Sequence, residues 1–221
     1  MTIRAVLFDI DGTLVDSNYL HIEAWSKAFE TANVPVEAWR VHRAIGMDGR
    51  KLMDTLLADT DQKTREWAQE LHSTYYGELA GRLRTFAGTR ELLQDIKDRG
   101  LAVVLATSAP PPELTNLRKV LKAEDVIDVV TSADDVETAK PAPDIVQIAL
   151  ERAEVKPDEA VMVGDSVWDG RAAERAGVAF IGVRSGGISS AELLDAGAAA
   201  VYDDVADLRN HLGEGPLGAK S

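Results

Sequence analysis

The stretch Ile3-Arg4-Ala5-Val6-Leu7-Phe8-Asp9-Ile10-Asp11-Gly12-Thr13-Leu14-Val15-Asp16-Ser17 joins a short apolar run to a cluster of acidic residues. Ile3 to Phe8 has strand length and little polar interruption, the signature of a strand buried on both faces of a parallel sheet. Strand alternation predicts Asp9 and Asp11 on the same side of the chain, at the carboxyl end of that strand. Two such carboxylates repel and raise one another's pKa, a cost that a bound cation removes. With hard oxygen donors and no Cys or His nearby, the cation indicated is Mg²⁺. A bare Asp-x-Asp also suits a solvated acidic turn; the preceding strand and the following Gly12-Thr13 favour a functional reading.

Working outward, further strand-length apolar runs occur at Leu101 to Ala106, Val126 to Val130, Ala160 to Val163 and Val178 to Val183, with a weaker one at Ala198 to Tyr202. Helical patterns alternate with them: Gly88 to Arg99, Pro112 to Leu121, Pro143 to Ala153, Trp168 to Ala176 and Ser189 to Ala196. Gly100 and Gly177 stand where helix C-terminal caps are expected. This alternation predicts an α/β fold, a Rossmann-like doubly wound parallel sheet. One interval breaks the rhythm: residues 17–83 hold no strand-like run and read as helices at Tyr19 to Ala32, Glu37 to Ala44, Arg50 to Leu57 and Gln62 to Leu79. The expected organisation is therefore a catalytic core of residues 1–16 and 84–212, an inserted helical cap of residues 17–83, and an unstructured tail of residues 213–221. Ligands in open α/β sheets bind beyond the carboxyl ends of the strands, so an insert leaving that edge is placed to act as a lid.

Other strand ends bring chemistry to the same edge. Val163-Gly164-Asp165-Ser166-Val167-Trp168-Asp169 follows an apolar strand, and Asp165 is placed to ligate the metal. Asp169 reads as a ligand through water or as a residue that holds the loop; Ser166 and Asp169 also suit helix capping. The hydroxyls of Thr107 and Ser108, with main-chain N–H groups leading into a helix, suit a phosphoryl oxygen, although such residues also cap turns. The ammonium of Lys140, before Pro141, can offset the charge of carboxylates and phosphate.

The net charge of −13 excludes a broad electrostatic grip on nucleic acid or anionic lipid. No stretch approaches the ~18 apolar residues of a membrane span, and Asp9 interrupts the first apolar run too soon for a signal peptide. The absence of cysteine excludes disulfides, thiolate metal sites and a thiol nucleophile. A cytoplasmic enzyme of a small soluble substrate is expected. No heptad pattern or long apolar stripe points to strong self-association, so a monomer or weak homodimer is expected. No Gly-x-Gly-x-x-Gly opens the first helix, which argues against a nucleotide-binding oxidoreductase.

Taken together, the motifs at Asp9-Ile10-Asp11-Gly12-Thr13, Thr107-Ser108, Lys140-Pro141 and Gly164-Asp165, in this order, resemble the haloacid dehalogenase-like hydrolases, and among them the capped phosphatases that include phosphoglycolate phosphatases and β-phosphoglucomutases. The resemblance implies Asp9 as the nucleophile that forms an aspartyl-phosphate. It implies Asp11 as the acid that protonates the leaving alcohol and then deprotonates water. Thr107 and Lys140 would hold the phosphoryl oxygens. Asp9, Asp165 and the main-chain carbonyl of Asp11 would bind Mg²⁺, with Asp169 beside them; Gly12 and Ser108 would line the substrate. Aspartate at position 11 favours turnover of a phosphoester over dehalogenation.

In the cap, His21 reads as a substrate contact or a cap hydrogen-bonding residue, and Trp25 as core. Arg43 or Arg50 reads as a contact to a distal anionic or hydroxyl group, or as surface arginine. Gly46-Met47-Asp48-Gly49 lacks the Arg of the mutases, and Leu52 stands where they carry Ser. The expected function is a Mg²⁺-dependent phosphomonoesterase acting on a small organophosphate. A phosphosugar mutase and a non-catalytic binding protein on the same scaffold stand as alternatives.

Overall fold

A computed structural model of the chain describes residues 2–47, 49–135 and 140–218. The chain divides into two compact units, Met1–Asp16 with Arg84–Ser221, and Ser17–Leu83. Helices are numbered along the chain, so the smaller unit holds α1–α4.

The larger unit is built on six strands: β1 (Ala5–Phe8), β2 (Ala102–Leu105), β3 (Val129–Val130), β4 (Ala160–Gly164), β5 (Ala179–Val183) and β6 (Ala198–Tyr202). Their order across the sheet is β3-β2-β1-β4-β5-β6, and every pairing is parallel. This is the doubly wound arrangement expected from the alternating pattern. All four residues of β1 are fully buried, which is why the strand is apolar on both faces.

Helices α5 (Thr89–Asp98), α6 (Pro111–Leu121), α7 (Asp144–Arg152), α8 (Val167–Ala176), α9 (Ser190–Asp195) and α10 (Val205–Asn210) complete the unit with a short last helix, α11 (Gly215–Gly218). Leu7, Val104, Met162 and Phe180 of the sheet pack with Ile145 and Val146 of α7, Ala172 and Ala173 of α8, and Leu193 of α9. The approach of α8 is close: a Cβ on Gly170 would lie 2.5 Å from the Ala196 carbonyl oxygen.

Register places the site. Phe8 pairs with Leu105 on one side and Val163 on the other. The ladder runs one step further, with Ala106 N donating to Phe8 O at 2.7 Å and Asp9 N to Val163 O at 2.9 Å. Asp9, Thr107 and Asp165 therefore leave three adjacent strands at one edge.

One segment departs from expectation. The strand predicted over Val126 to Val130 is reduced to Val129–Val130. Val126 and Ile127 both donate to Ala123 O in a turn, and the Asp128 side chain accepts from Val103 N at 2.9 Å, standing in for a ladder carbonyl. Of the tail expected to be unstructured over residues 213–221, residues 219–221 lie outside the described residues; before them Gly218 N donates to Glu214 O at 3.0 Å and closes the α11 turn, with Pro216 pre-set for a helical start.

The smaller unit is all helical: α1 (Asn18–Thr31), α2 (Ala38–Ala44), α3 (Gly49–Leu56) and α4 (Gln62–Leu79). Trp25, Phe29, Val41, Leu52, Met53 and Ala68 form its core, so Trp25 packs as its apolar spacing predicts. Asp61 caps α4 by accepting from Thr64 N at 3.0 Å. Arg65 ties the α3–α4 connection, donating to Asp54, Ala58 O and Thr60 O.

Candidate active site

Asp9 follows β1 and is buried. Immediately after it the chain folds on a single carbonyl: Thr13, Leu14 and Val15 all direct their N–H groups to Ile10 O at 2.9–3.2 Å. Gly12 makes this turn with φ +78°, a conformation that a side chain would strain. Strand β1 has ended at Phe8, so the turn on Ile10 O sets the position of Asp11, whose charge still bears on Asp9. Ser185, after β5, donates to Gly12 O at 2.6 Å and pins the turn from outside.

At the end of β4, Asp165 is buried and accepts from the Thr13 hydroxyl at 3.0 Å. Asp169, in the first turn of α8, forms a reciprocal cap with Ser166. Its Oδ2 accepts from Ser166 N at 3.1 Å and from Ser166 Oγ at 2.6 Å, while its N–H donates to Ser166 Oγ at 3.2 Å. Gly164 makes room for this carboxylate: a Cβ there would sit 2.5 Å from Asp169 Cγ.

Lys140 is the cationic counterpart. Its side chain is 2% exposed, and its ammonium is paired with Asp9 and lies 2.8 Å from Asp169 Oδ1. Burial opposes its charge, but the Asp169 and Asp9 carboxylates hold Lys140 above the ordinary lysine value. Burial pushes the Asp9 carboxyl up to about 7; Lys140 pulls it down, and Asp169 and Asp11 push it up.

Oxygens of Asp9, Asp165 and Asp169 lie within 4.8 Å of one another; Asp11 is not in this group. The donor set is all carboxylate, and three carboxylates against one ammonium leave an excess of negative charge. Both properties fit a hard divalent cation.

Thr107 is buried beyond β2, and its hydroxyl accepts from Ala109 N at 3.1 Å. Its carbonyl, with that of Leu105, accepts from the Thr131 hydroxyl. Ser108 is half-buried beside it. Pro111 and Pro112 occupy the first turn of α6 and offer no N–H there.

Within the smaller unit, His21 stacks on Tyr76 with centroids 3.8 Å apart, and its Nδ1 is 3.1 Å from His72 Nε2. His72 in turn stacks on Trp25 at 3.8 Å. Burial, and then His21, hold the His72 pKa well below the usual histidine value. Arg43 lies exposed on α2.

Sequence patterns miss Ser185 entirely, because a serine after a strand carries no signal of its partner. Thr13 is quoted within the motif, but its bond to Asp165 is legible only once β1 and β4 are adjacent.

The family model for haloacid dehalogenase-like hydrolases matches residues 6–183. A phosphorylated carbohydrates phosphatase from Thermotoga maritima is 32% identical over 204 residues, covering 90% of this chain and 93% of the relative. The pyrophosphatase PpaX of Bacillus cereus is 31% identical over 172 residues, 76% of this chain and 77% of that one. A crystal structure of a hydrolase from Pseudomonas syringae superposes with a TM-score of 0.90 at 35% identity, over 95% of this chain and 97% of that chain. With carboxylates, hydroxyl and lysine gathered at one sheet edge, the chain belongs to the haloacid dehalogenase-like hydrolase family and is a hydrolase of its phosphatase type.

Proposed function

We propose that the protein is a Mg²⁺-dependent phosphomonoesterase that hydrolyses a small organophosphate through an aspartyl-phosphate. The observation that carries this reading is the buried convergence of Asp9, Asp165 and Asp169 with Lys140 at one strand edge. Phosphoryl transfer asks of a protein chiefly positioning and charge compensation, and this cluster supplies both.

In the first step a carboxylate oxygen of Asp9 attacks phosphorus, the bond from phosphorus to the leaving oxygen breaks, and Asp11 gives its proton to the leaving alkoxide. In the second, Asp11 takes a proton from water, the water oxygen bonds to phosphorus, the bond to Asp9 breaks, and inorganic phosphate departs. Thr107 and Lys140 hold the equatorial oxygens, with Ser108 and Gly12 lining the site. Asp9, Asp165 and the main-chain carbonyl of Asp11 would hold Mg²⁺. Asp169, whose oxygens already serve Ser166 and Lys140, would fix the loop beside them. The bound ion supplies neutralisation of the carboxylates and of the phosphoryl charge.

Residues 17–83 serve as the cap, with His21 and Arg43 as contacts to the rest of the substrate. The substrate is small, the compartment cytoplasmic and the protein monomeric or weakly dimeric. Among the described residues no helix is long and apolar enough to cross a membrane.

The test is phosphate release from a panel including phosphoglycolate, hexose and pentose phosphates, glycerol phosphate, nucleoside monophosphates and pyrophosphate. It is run with Mg²⁺ and with chelator, beside Asp9→Asn. Mg²⁺-dependent release that disappears in the variant is expected. Interconversion of hexose 1-phosphate without net phosphate release would replace this reading with a mutase, and full activity in Asp9→Asn would remove the covalent step.

A further inference from the structure

Lys140 must hold a long, flexible side chain extended so that its ammonium meets two carboxylates. Pro141 and Pro143 flank the turn into α7 and have no N–H to donate. The Pro141 carbonyl is instead the point of attachment: Arg175 Nη1 donates to it at 2.7 Å.

Arg175 belongs to the last turn of α8, and Asp169 to the first. One helix thus grips the lysine segment twice, by Asp169 at the ammonium and by Arg175 at the next residue's carbonyl. We infer that Arg175 is a positioning residue, which holds the Lys140–Pro141 backbone on α8 so that the ammonium stays between Asp9 and Asp169. Its expected effect on turnover rests on the proposed phosphatase reading; its effect on Lys140 does not.

Two readouts keep these apart. The first is the rate at which the full-length protein is acylated at Lys140 by acetic anhydride, followed by peptide mass spectrometry. At 2% exposure Lys140 should react slowly in the native protein. Arg175→Ala should speed its labelling about tenfold, Arg175→Lys should restore part of the protection, and the other lysines should be unaffected. Arg171→Ala serves as control, since Arg171 is exposed on the same helix with its guanidinium over Trp168. Arg175→Gln repeats the test should alanine lower the melting temperature. Lys140 labelling that stays at the native rate in folded Arg175→Ala or Arg175→Gln would overturn the inference, as would equal acceleration in Arg171→Ala.

The second readout is phosphoester hydrolysis, expected to fall about tenfold in kcat in Arg175→Ala and to be unchanged in Arg171→Ala. Faster Lys140 labelling in a protein whose native form hydrolyses no phosphoester would sink the phosphatase reading and leave the role of Arg175 standing. Unchanged labelling in an active native enzyme would do the reverse.

Discussion

The Thr13 hydroxyl donates to Asp165 Oδ1 at 3.0 Å across 152 positions of sequence, both groups being buried. The bond joins the turn after β1 to the end of β4, and so fixes the separation of the two acidic motifs. Thr13→Val keeps the shape and removes the donor, leaving a buried carboxylate oxygen short of a partner. A loss of about 1–3 kcal/mol in urea unfolding is expected. A higher Mg²⁺ concentration for half-maximal thermal stabilisation should accompany it. Thr13→Ser should restore most of both.

Lys140 is the only cation paired with the carboxylate cluster among the described residues. Lys140→Met retains the stem and deletes the charge, leaving Asp9 and Asp169 buried without compensation. Breaking a buried pair from one side costs about 3–5 kcal/mol, and chemical denaturation should show a loss of that order. Lys140→Met with Asp169→Asn should recover part of the stability without recovering activity, because one uncompensated charge is removed along with its partner.

Gly164→Ala tests the site with the smallest possible addition. The new methyl would stand 2.5 Å from Asp169 Cγ, so Asp169 must swing away from Ser166 and Lys140. A displacement of about 1 Å at a reacting centre can cost about 10²-fold. A fall in kcat of about that size is expected in steady-state assays, with far-ultraviolet circular dichroism unchanged.

His72 supplies a pH dependence in the smaller unit. It is held neutral by burial and by His21, and is packed against Trp25 and Tyr76. Its folded pKa lies below its unfolded value of about 6.5. Below that pH the unfolded chain binds a proton that the folded chain refuses, so stability is complete above about 6.5 and is lost as pH falls. Denaturation midpoints measured from neutral to acidic pH should decline more in the native protein than in His72→Phe, which keeps the stack on Trp25.

The sheet was legible because β1, β2, β4 and β5 are apolar on both faces, a pattern that leaves few alternatives to a parallel core. β3 was less so: Val126 and Ile127 look like strand but are consumed by a turn on Ala123, and hydropathy does not register which carbonyl a donor will choose. Asp9 and Asp165 announced themselves by residue type at strand ends, and Lys140 by its charge beside Pro141, ahead of α7. Asp169 was left between ligand and cap, and its geometry serves the cap and the lysine together. Asp11 was read from strand alternation, whereas the turn that gathers on Ile10 O is what fixes its place. Ser185 and Arg175 were silent, since each acts on a main-chain carbonyl, and carbonyls are the same at every residue.

The central place of β1 in the sheet bears on how the molecule is made. Within this sheet β1 is made first, and it finds its two neighbours only in β2 and β4, after the whole of residues 17–83 has been synthesised. The insert is a continuous run with its own apolar core, whereas the sheet is assembled from segments far apart in the chain, a slow kind of closure. The acidic centre therefore cannot be complete until β4 has been made. A nascent chain ending before Ala160 would carry Asp9 without Asp165, and so without the charge density that attracts a divalent ion.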